Sequence, residues 1–208
     1  MTKQAVFING PRDNQLDDMF IQSTFYKLVE QPSLADIICF QGGPDVHPKL
    51  YGEEVLPGTY VEDHRDEEDI EVYAKYTHKP KVGICRGGQF LNVMAGGEMY
   101  QDVNNHLSGH EAINLLPITG SIYKHESYLD VTSDHHQMMI PSEEGEVLLI
   151  AHKATDFKSA TENRPKPEYD VEAVWYDHVD SLCFQPHPEY NAKYQTRALF
   201  LSYMRYFF

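Results

Sequence analysis

Two places in this sequence carry side chains able to do covalent chemistry. The first is Cys85, within Lys81-Val82-Gly83-Ile84-Cys85-Arg86-Gly87-Gly88. A short apolar strand over 81–84 breaks at the cysteine and passes into a helix. The small residues around it let the backbone bend tightly and hold the thiol clear. At a helix N-terminus, free N–H groups and the helix dipole favour thiolate over thiol. The second place is His187-Pro188-Glu189. Residues i and i+2 of an extended chain point the same way, and Pro188 keeps the chain extended, so the Glu189 carboxylate can orient the His187 imidazole. Orienter, base and nucleophile together are the parts of covalent catalysis. Each part is weak alone, because a cysteine beside a glycine turn is often a small buried hydrophobe and His-Pro-Glu can simply end a strand. A loop at Gly42-Gly43 supplies what acyl transfer also needs, backbone donors for an oxyanion.

These parts must be positioned by regular elements. Ala5 to Asn9 reads as a strand closed by Gly10 and Pro11. Leu16, Met19, Phe20, Phe25, Leu28 and Val29 recur at roughly helical spacing, which predicts a helix ending near Glu30, before Pro32. Asp36 to Phe40 is a second buried strand running into the Gly42-Gly43 loop, a helix is expected from Arg65 to Tyr76, and the strand before Cys85 follows. This βαβαβ order predicts a parallel sheet covered on both faces, with function at the carboxyl ends of the strands. After Gly97 come shorter β-like pieces over 98–103, 110–116, 127–132 and 146–151. Thr155 to Tyr169 lacks periodicity and reads as an exposed, mobile loop. Val171 to Asp177 and Val179 to Gln185 read as two strands joined by a tight turn. From Asn191 to Phe208, Leu199, Tyr203 and Tyr206 or Phe207 form a helical apolar stripe expected to pack on its own domain.

Composition narrows the function classes. With 208 residues, 41% hydrophobic, the chain suits one domain. A formal charge of -15 argues against nucleic acid as a partner. No run is apolar enough to span a bilayer, and the opening MTKQAVFING lacks signal-peptide features, so a cytoplasmic location and no membrane partner are expected. Cys39, Cys85 and Cys183 fit neither a disulfide framework nor a CxxC pattern, and Cys39 and Cys183 read as core. The acidic runs Glu62 to Glu71 and Glu143 to Glu146 read as solvated faces.

The blocks GGPDVHPKLYGEE (42–54), HRDEED (64–69), GICRGGQFLNVMAGGEMYQDV (83–103), SDHHQ (133–137) and QPHPE (185–189) resemble the class I glutamine amidotransferase-like superfamily. Within it the sequence is most similar to the γ-glutamyl-γ-aminobutyrate hydrolase-like branch of the C26 cysteine peptidases. The blocks come in family order over roughly three quarters of the chain. The resemblance implies a single flavodoxin-like three-layer α/β domain over 1–208, with a central mostly parallel sheet, helices on both faces and extra β-strands in the C-terminal half. It implies Cys85 as nucleophile, His187 as base and then acid, Glu189 as orienter, and an oxyanion hole from the backbone N–H groups of Gly43 and Arg86. Gln89, Ser133, His135 and His136 would line the substrate pocket, with the Asp45 and Tyr51 block shaping it.

The implied activity is cysteine-dependent hydrolysis of a γ-glutamyl amide without a cofactor. The alternative is a glutaminase subunit passing ammonia to a synthase or ligase partner, and a silent binding relative is a third reading that the intact triad opposes. A metal site built from His135 and His136 with Asp134, His64 and His47 is disfavoured, since adjacent histidines on a strand point to opposite faces; no metal is expected. The sequence departs from the family at Pro186, where a Trp is usual, in its first strand and the loop Pro11 to Leu16, and in the longer stretch Thr155 to Tyr169.

Overall fold

The apolar runs form one sheet whose strand order brings Cys85 and His187 together. The computed structural model describes residues 3–11, 13–118, 126–190 and 195–208. Its elements begin β1 (Gln4–Asn9), α1 (Asn14–Gln22), β2 (Tyr26–Leu28), β3 (Ile37–Phe40), α2 (Asp63–Lys75), β4 (Lys81–Ile84) and α3 (Arg86–Met94). There follow β5 (Glu98–Tyr100), β6 (Asp102–Val103), β7 (His110–Asn114), β8 (Ser127–Val131), β9 (Met138–Ile140) and β10 (Glu146–Ala151). The chain closes with β11 (Phe157–Lys158), β12 (Asp170–Tyr176), β13 (Ser181–Phe184) and α4 (Thr196–Phe207).

Nine strands run in the order β2-β1-β3-β4-β13-β12-β10-β7-β8. The pairings from β2 to β13 are parallel and those beyond are antiparallel. The fold is therefore α/β, with the added strands in the C-terminal half that the sequence implied. The nucleophile strand β4 lies directly beside β13, with Ile84 opposite Phe184. Both functional segments leave the sheet at the same end, next to each other.

Alternation along the strands splits the core in two. On β3, Ile37 and Cys39 face the cluster made with α1 and α4, which supply Leu16, Met19, Phe20, Leu199, Phe200 and Tyr203. Ile38 and Phe40 face the opposite cluster, with Phe90 and Leu91 of α3. Strands buried on both faces read as continuous apolar runs, which is why these segments were plain in the sequence. Cys39 and Cys183 are fully buried, and burial pushes both thiols up.

Three expectations need correction. Helix α1 stops at Gln22, because Ser23 turns the backbone extended, and Tyr26–Leu28 then pairs in parallel with β1. Val29 N–H donates to Val6 O at 3.0 Å, so edge pairing overrides the helical spacing of Phe25, Leu28 and Val29. The stretch 155–169 is largely exposed as expected, but it is docked. Phe157 and Lys158 pair with β6, and Glu53 accepts from Ala160 N–H at 3.1 Å, the Thr161 hydroxyl at 2.8 Å and Arg164 at 3.0 Å. Burial raises the Glu53 carboxyl, but hydrogen bonds from Ser159, Gln101 and Thr161 outweigh it and bring it to about 2. The third correction concerns the acidic run Glu62 to Glu71: it is not all a solvated face, since Asp66 and Asp69 are buried.

The C-terminal aromatics pack on the chain itself. The Phe207 ring stacks on Trp175 at 4.2 Å, and Gln4 Nε2 donates to Phe208 O at 2.8 Å. Residues 191–194, the start of the expected last helix, and Arg12 in the Pro11 to Leu16 loop lie outside the described residues. Among the described residues no helix is long and apolar enough to cross a membrane.

The first turn of α3 lies against bare backbone. A Cβ at position 87 would sit 2.0 Å from Phe40 O, and one at position 83 would sit 2.2 Å from Gly87 O. Gly87→Ala is therefore expected to cost at least about 3 kcal/mol in urea unfolding, because main-chain oxygens cannot move aside as a flexible side chain could. At Gly52, where φ is 75° and nothing lies within 4 Å of a Cβ, alanine should cost about 1 kcal/mol from backbone strain alone. Equal losses for the two variants would refute the close-packing account.

Candidate active site

The nucleophile position is built from the strand-to-helix turn. Cys85 has φ 51° and ψ -114°, a conformation that costs a non-glycine residue about 1–3 kcal/mol and persists only when its surroundings fix it. Its N–H donates to Phe184 O at 2.8 Å, and its carbonyl accepts from Gln89 N–H at 3.0 Å. The side chain projects from the turn to a point where Sγ lies 4.0 Å from Asp134 O.

His187 follows the end of β13. Its Nδ1–H donates to Glu189 Oε1 at 2.6 Å, since a carboxylate can only accept. The ring stacks face to face on Tyr190, with centroids 4.2 Å apart and planes 3° from parallel. Its backbone is clamped by Thr132, whose Oγ1 donates to His187 O at 2.5 Å and accepts from His187 N–H at 3.1 Å. Arg197 holds the carbonyls of Pro188 and Glu189 at 3.2 and 3.1 Å. Burial lowers the His187 imidazole, but the charge on Cys85 and a hydrogen bond to it, followed by the bond and charge of Glu189, raise it well above the ordinary histidine range. Histidine and cysteine therefore face each other as a charged pair.

The loop after β3 closes the third side. A Cβ on Gly42 would lie 3.5 Å from His187 Cε1 and 3.8 Å from Cys85 Cβ, so this loop sits against both groups. Gly43, at φ 153°, turns the chain there. The Arg86 N–H belongs to the first turn of α3, where amides have no partner within the helix.

What fixes this loop is a buried lattice of charges on α2. Arg86 pairs with Asp66 and Asp69 and donates through Nε to Pro44 O at 3.1 Å. Arg65 Nε bonds Asp69 at 3.2 Å, while its other nitrogens reach Gln41 O at 3.1 Å and Gly42 O at 3.4 Å. Asn9 Nδ2 completes Asp69 at 2.6 Å. Burial, helped by neighbouring Arg65, pulls the Arg86 guanidinium down to about 10 against the attraction of Asp66.

The residues expected to line the substrate pocket are placed unequally. Gln89 is buried, with Nε2 donating to Gln185 Oε1 at 3.1 Å and Gln137 O at 3.4 Å. Ser133 Oγ donates to His106 O at 2.6 Å. His135 is buried and donates to Gln137 O at 2.8 Å; burial pulls it down to about 4. His136 has the more exposed ring and bonds both oxygens of Asp45 at 3.0 Å, which, ahead of the opposing effect of burial, holds its imidazole above the ordinary value. Asp134 touches the nucleophile through its carbonyl. Of the other metal ligands weighed from sequence, His64 is exposed on α2 and His47 lies near Asp63, away from His135.

Sequence reasoning missed Thr132, Tyr190 and Arg197, none of which carries a local signal. It also missed the charge lattice, although the i,i+4 spacing of Arg65 and Asp69 within HRDEED was a legible hint.

Comparison with known proteins follows this geometry. The profile of the peptidase C26 family matches residues 26–189. The chain is 31% identical to a protein of Lactococcus lactis named as glutamine amidotransferase-like, over 74% of this chain and 73% of that one. It is 36% identical to a protein of Mycobacterium tuberculosis named for glutamine amidotransferase, over 65% of this chain but only 48% of that one. In structure it is similar to a GMP synthase component from Thermoplasma acidophilum, with TM-score 0.66 at 14% identity, covering 100% of this chain and 95% of the other. At that identity the likeness is one of fold.

Removing Asp69 leaves the Arg86 guanidinium short of a partner in a dry interior. Asp69→Ala is expected to lose about 3–5 kcal/mol of stability in denaturant unfolding. Asp63→Ala, which removes an exposed carboxylate from the same helix, should leave the midpoint in place. A mild effect at Asp69 would mean that the lattice does not hold the loop.

Proposed function

The chain belongs to the peptidase C26 family of the class I glutamine amidotransferase-like superfamily, and from that premise we propose that it hydrolyses a γ-glutamyl amide through a thioester on Cys85. The observation that carries this reading is Cys85 held at φ 51° beside a His187 whose Nδ1 is bound by Glu189 at 2.6 Å. In the reaction Cys85 Sγ attacks the γ-carbonyl carbon and the carbonyl electrons move to oxygen. The backbone N–H groups of Gly43 and Arg86 receive that oxyanion. Collapse breaks the C–N bond while the His187 imidazolium gives its Nε2 proton to the departing amine or ammonia. Neutral His187 then takes a proton from water, the hydroxide adds to the thioester, and the thiolate leaves as the γ-carboxylate forms. Glu189 keeps one ring nitrogen protonated and the other facing the reaction throughout.

The α-amino and α-carboxylate groups of the substrate are assigned to the wall made by Gln89 and the 133–137 loop, which reaches the nucleophile through Asp134. Within that wall His136, paired with Asp45, offers the accessible polar ring, while Ser133 and His135 hold the loop from behind. A second reading keeps the same chemistry but sends ammonia to a synthase or ligase partner, and it is supported by the fold shared with a component of GMP synthase.

Steady-state hydrolysis of L-glutamine and a panel of γ-glutamyl amines by the isolated protein separates the two. Turnover of a γ-glutamyl amine that Cys85→Ala abolishes supports the hydrolase. Silence toward the whole panel, with Cys85 still alkylated rapidly by a glutamine-mimicking electrophile, supports the partner-dependent form.

The raised His187 also fixes a pH profile. The leaving group needs the imidazolium, so kcat/KM should hold well above the ordinary histidine range and fall only where that proton is lost. Glu189→Gln removes a charge and a bond that raise His187, so the alkaline limb should move to lower pH while kcat drops by about 10²- to 10⁴-fold. An unmoved limb in this variant would deny Glu189 its role.

A further inference from the structure

Behind the 133–137 loop lies a buried cluster that the proposed chemistry does not use. His106, His135 and Glu172 each offer a ligand-type atom, and these atoms lie within 4.8 Å of one another. The three side chains come from separate parts of the chain: the segment before β7, the loop beside Cys85, and the middle of β12. All three are buried.

Hydrogen bonding fixes which nitrogen of each ring carries a proton. Asp170 Oδ2 accepts from His106 Nε2 at 3.1 Å, and also from Lys153 N–H at 2.6 Å and Ala154 N–H at 2.8 Å. Gln137 O accepts from His135 Nδ1 at 2.8 Å. Neither acceptor can donate, so in the neutral rings the lone pairs sit on His106 Nδ1 and His135 Nε2. Both lone pairs aim at one carboxylate: His106 Nδ1 is 3.4 Å from Glu172 Oε1, and His135 Nε2 is 3.9 Å from Glu172 Oε2. Neither nitrogen has a hydrogen-bond partner, and neither does Glu172 Oε2. His110 Nε2 bonds the other carboxylate oxygen at 3.0 Å, which steers Oε2 inward. Lone pairs facing a carboxylate in a dry interior repel, and a cation between them turns that repulsion into three bonds.

We propose that His106 Nδ1, His135 Nε2 and Glu172 Oε2 bind a divalent transition-metal ion, Zn²⁺ by donor type, at a structural site behind the active-site wall. Two imidazoles and a carboxylate suit Zn²⁺, and Asp170 behind His106 is the outer carboxylate that metal-bound histidines commonly have. Tetrahedral Zn²⁺ at 2.0–2.1 Å sets its ligands about 3.3 Å apart. The observed separations exceed this by at most about 1.5 Å, which small χ rotations close. The ion would tie the 133–137 loop, and with it the Asp134 carbonyl next to Cys85, to β12 and to the segment carrying His106.

The test begins with the full-length protein. Metal content is measured after purification without chelator, and the chelator-treated protein is then titrated with Zn²⁺ by calorimetry and thermal melting. One equivalent bound, with a raised melting midpoint, is expected. Glu172→Gln and His106→Ala should weaken binding by at least about 100-fold, and Asp170→Asn by about 10- to 100-fold. His64→Ala, an exposed histidine elsewhere, should bind as wild type does. Because a cluster variant can fail to fold, wild-type protein is also loaded with Co²⁺. The intense visible absorption of a four-coordinate, nitrogen-ligated ion is expected, and the faint spectrum of an all-oxygen octahedral ion overturns the proposal. So does an apo protein that binds no Zn²⁺, or equal binding by Glu172→Gln and wild type; the cluster would then be held by protons on its histidines.

Discussion

The structure depends on a close approach of backbone to backbone. Nothing but glycine separates the first turn of α3 from the ends of β3 and β4, with Phe40 O only 2.0 Å from where a Gly87 Cβ would stand. That closeness leaves the chain between β4 and α3 no room for an ordinary bend. Cys85 takes up the difference by adopting φ 51°, held there by the Phe184 carbonyl on the neighbouring strand. Strain at the nucleophile is thus a consequence of how a helix is seated on a sheet, and the sheet is rigid because its strands are buried on both faces.

From that seat the other parts follow through charge. A chain with a formal charge of -15 has buried two arginines, and each is satisfied by aspartates and main-chain carbonyls together. The planar fork of arginine is what allows one side chain to bond carboxylates and loop carbonyls at once; a lysine could neutralise the aspartates but could not span to Pro44 or Gln41 and Gly42 in the same way. The loop that carries Gly43 is therefore fixed by α2 from below, while α3 fixes Cys85 from the side. Two independent supports converge on one point, which is how a site made largely of loop ends can be kept in register.

How much of this could be read beforehand follows from how local each feature is. Strand, cysteine and helix are contiguous in sequence, and His187 and Glu189 are two residues apart, so each half of the site announced itself. Their meeting required only that β4 and β13 be neighbours. Thr132 and Arg197, by contrast, reach the His187 to Glu189 segment from the end of an antiparallel strand and from the last helix, and no spacing rule links them to it. Tyr26 to Leu28 misled because a three-residue edge strand has too few residues to display a period, and its apolar positions also fit a helical stripe. Asp66 and Asp69 misled for the opposite reason: charge in a run normally means solvent, and only the arginine of a distant turn shows otherwise. The docking of 159–164 on Glu53 was invisible for the same cause, since a single glutamate 106 residues from its partner Ser159 leaves no local trace.

The two buried carboxylate-histidine groups of this protein show that residue type alone does not decide chemistry. Glu189 has one histidine, and that ring turns its second nitrogen toward a cysteine, so the favourable arrangement is a proton shared between imidazole and thiol. Glu172 has histidines on several sides, and hydrogen bonds behind His106 and His135 hold their protons outward. A proton placed inward there would have to be added to rings already donating, whereas a cation would use lone pairs already aimed. The outer partners of each ring, a carboxylate for His187 and Asp170 with the Gln137 carbonyl for the cluster, are therefore what separates a proton-transfer site from a metal-binding one.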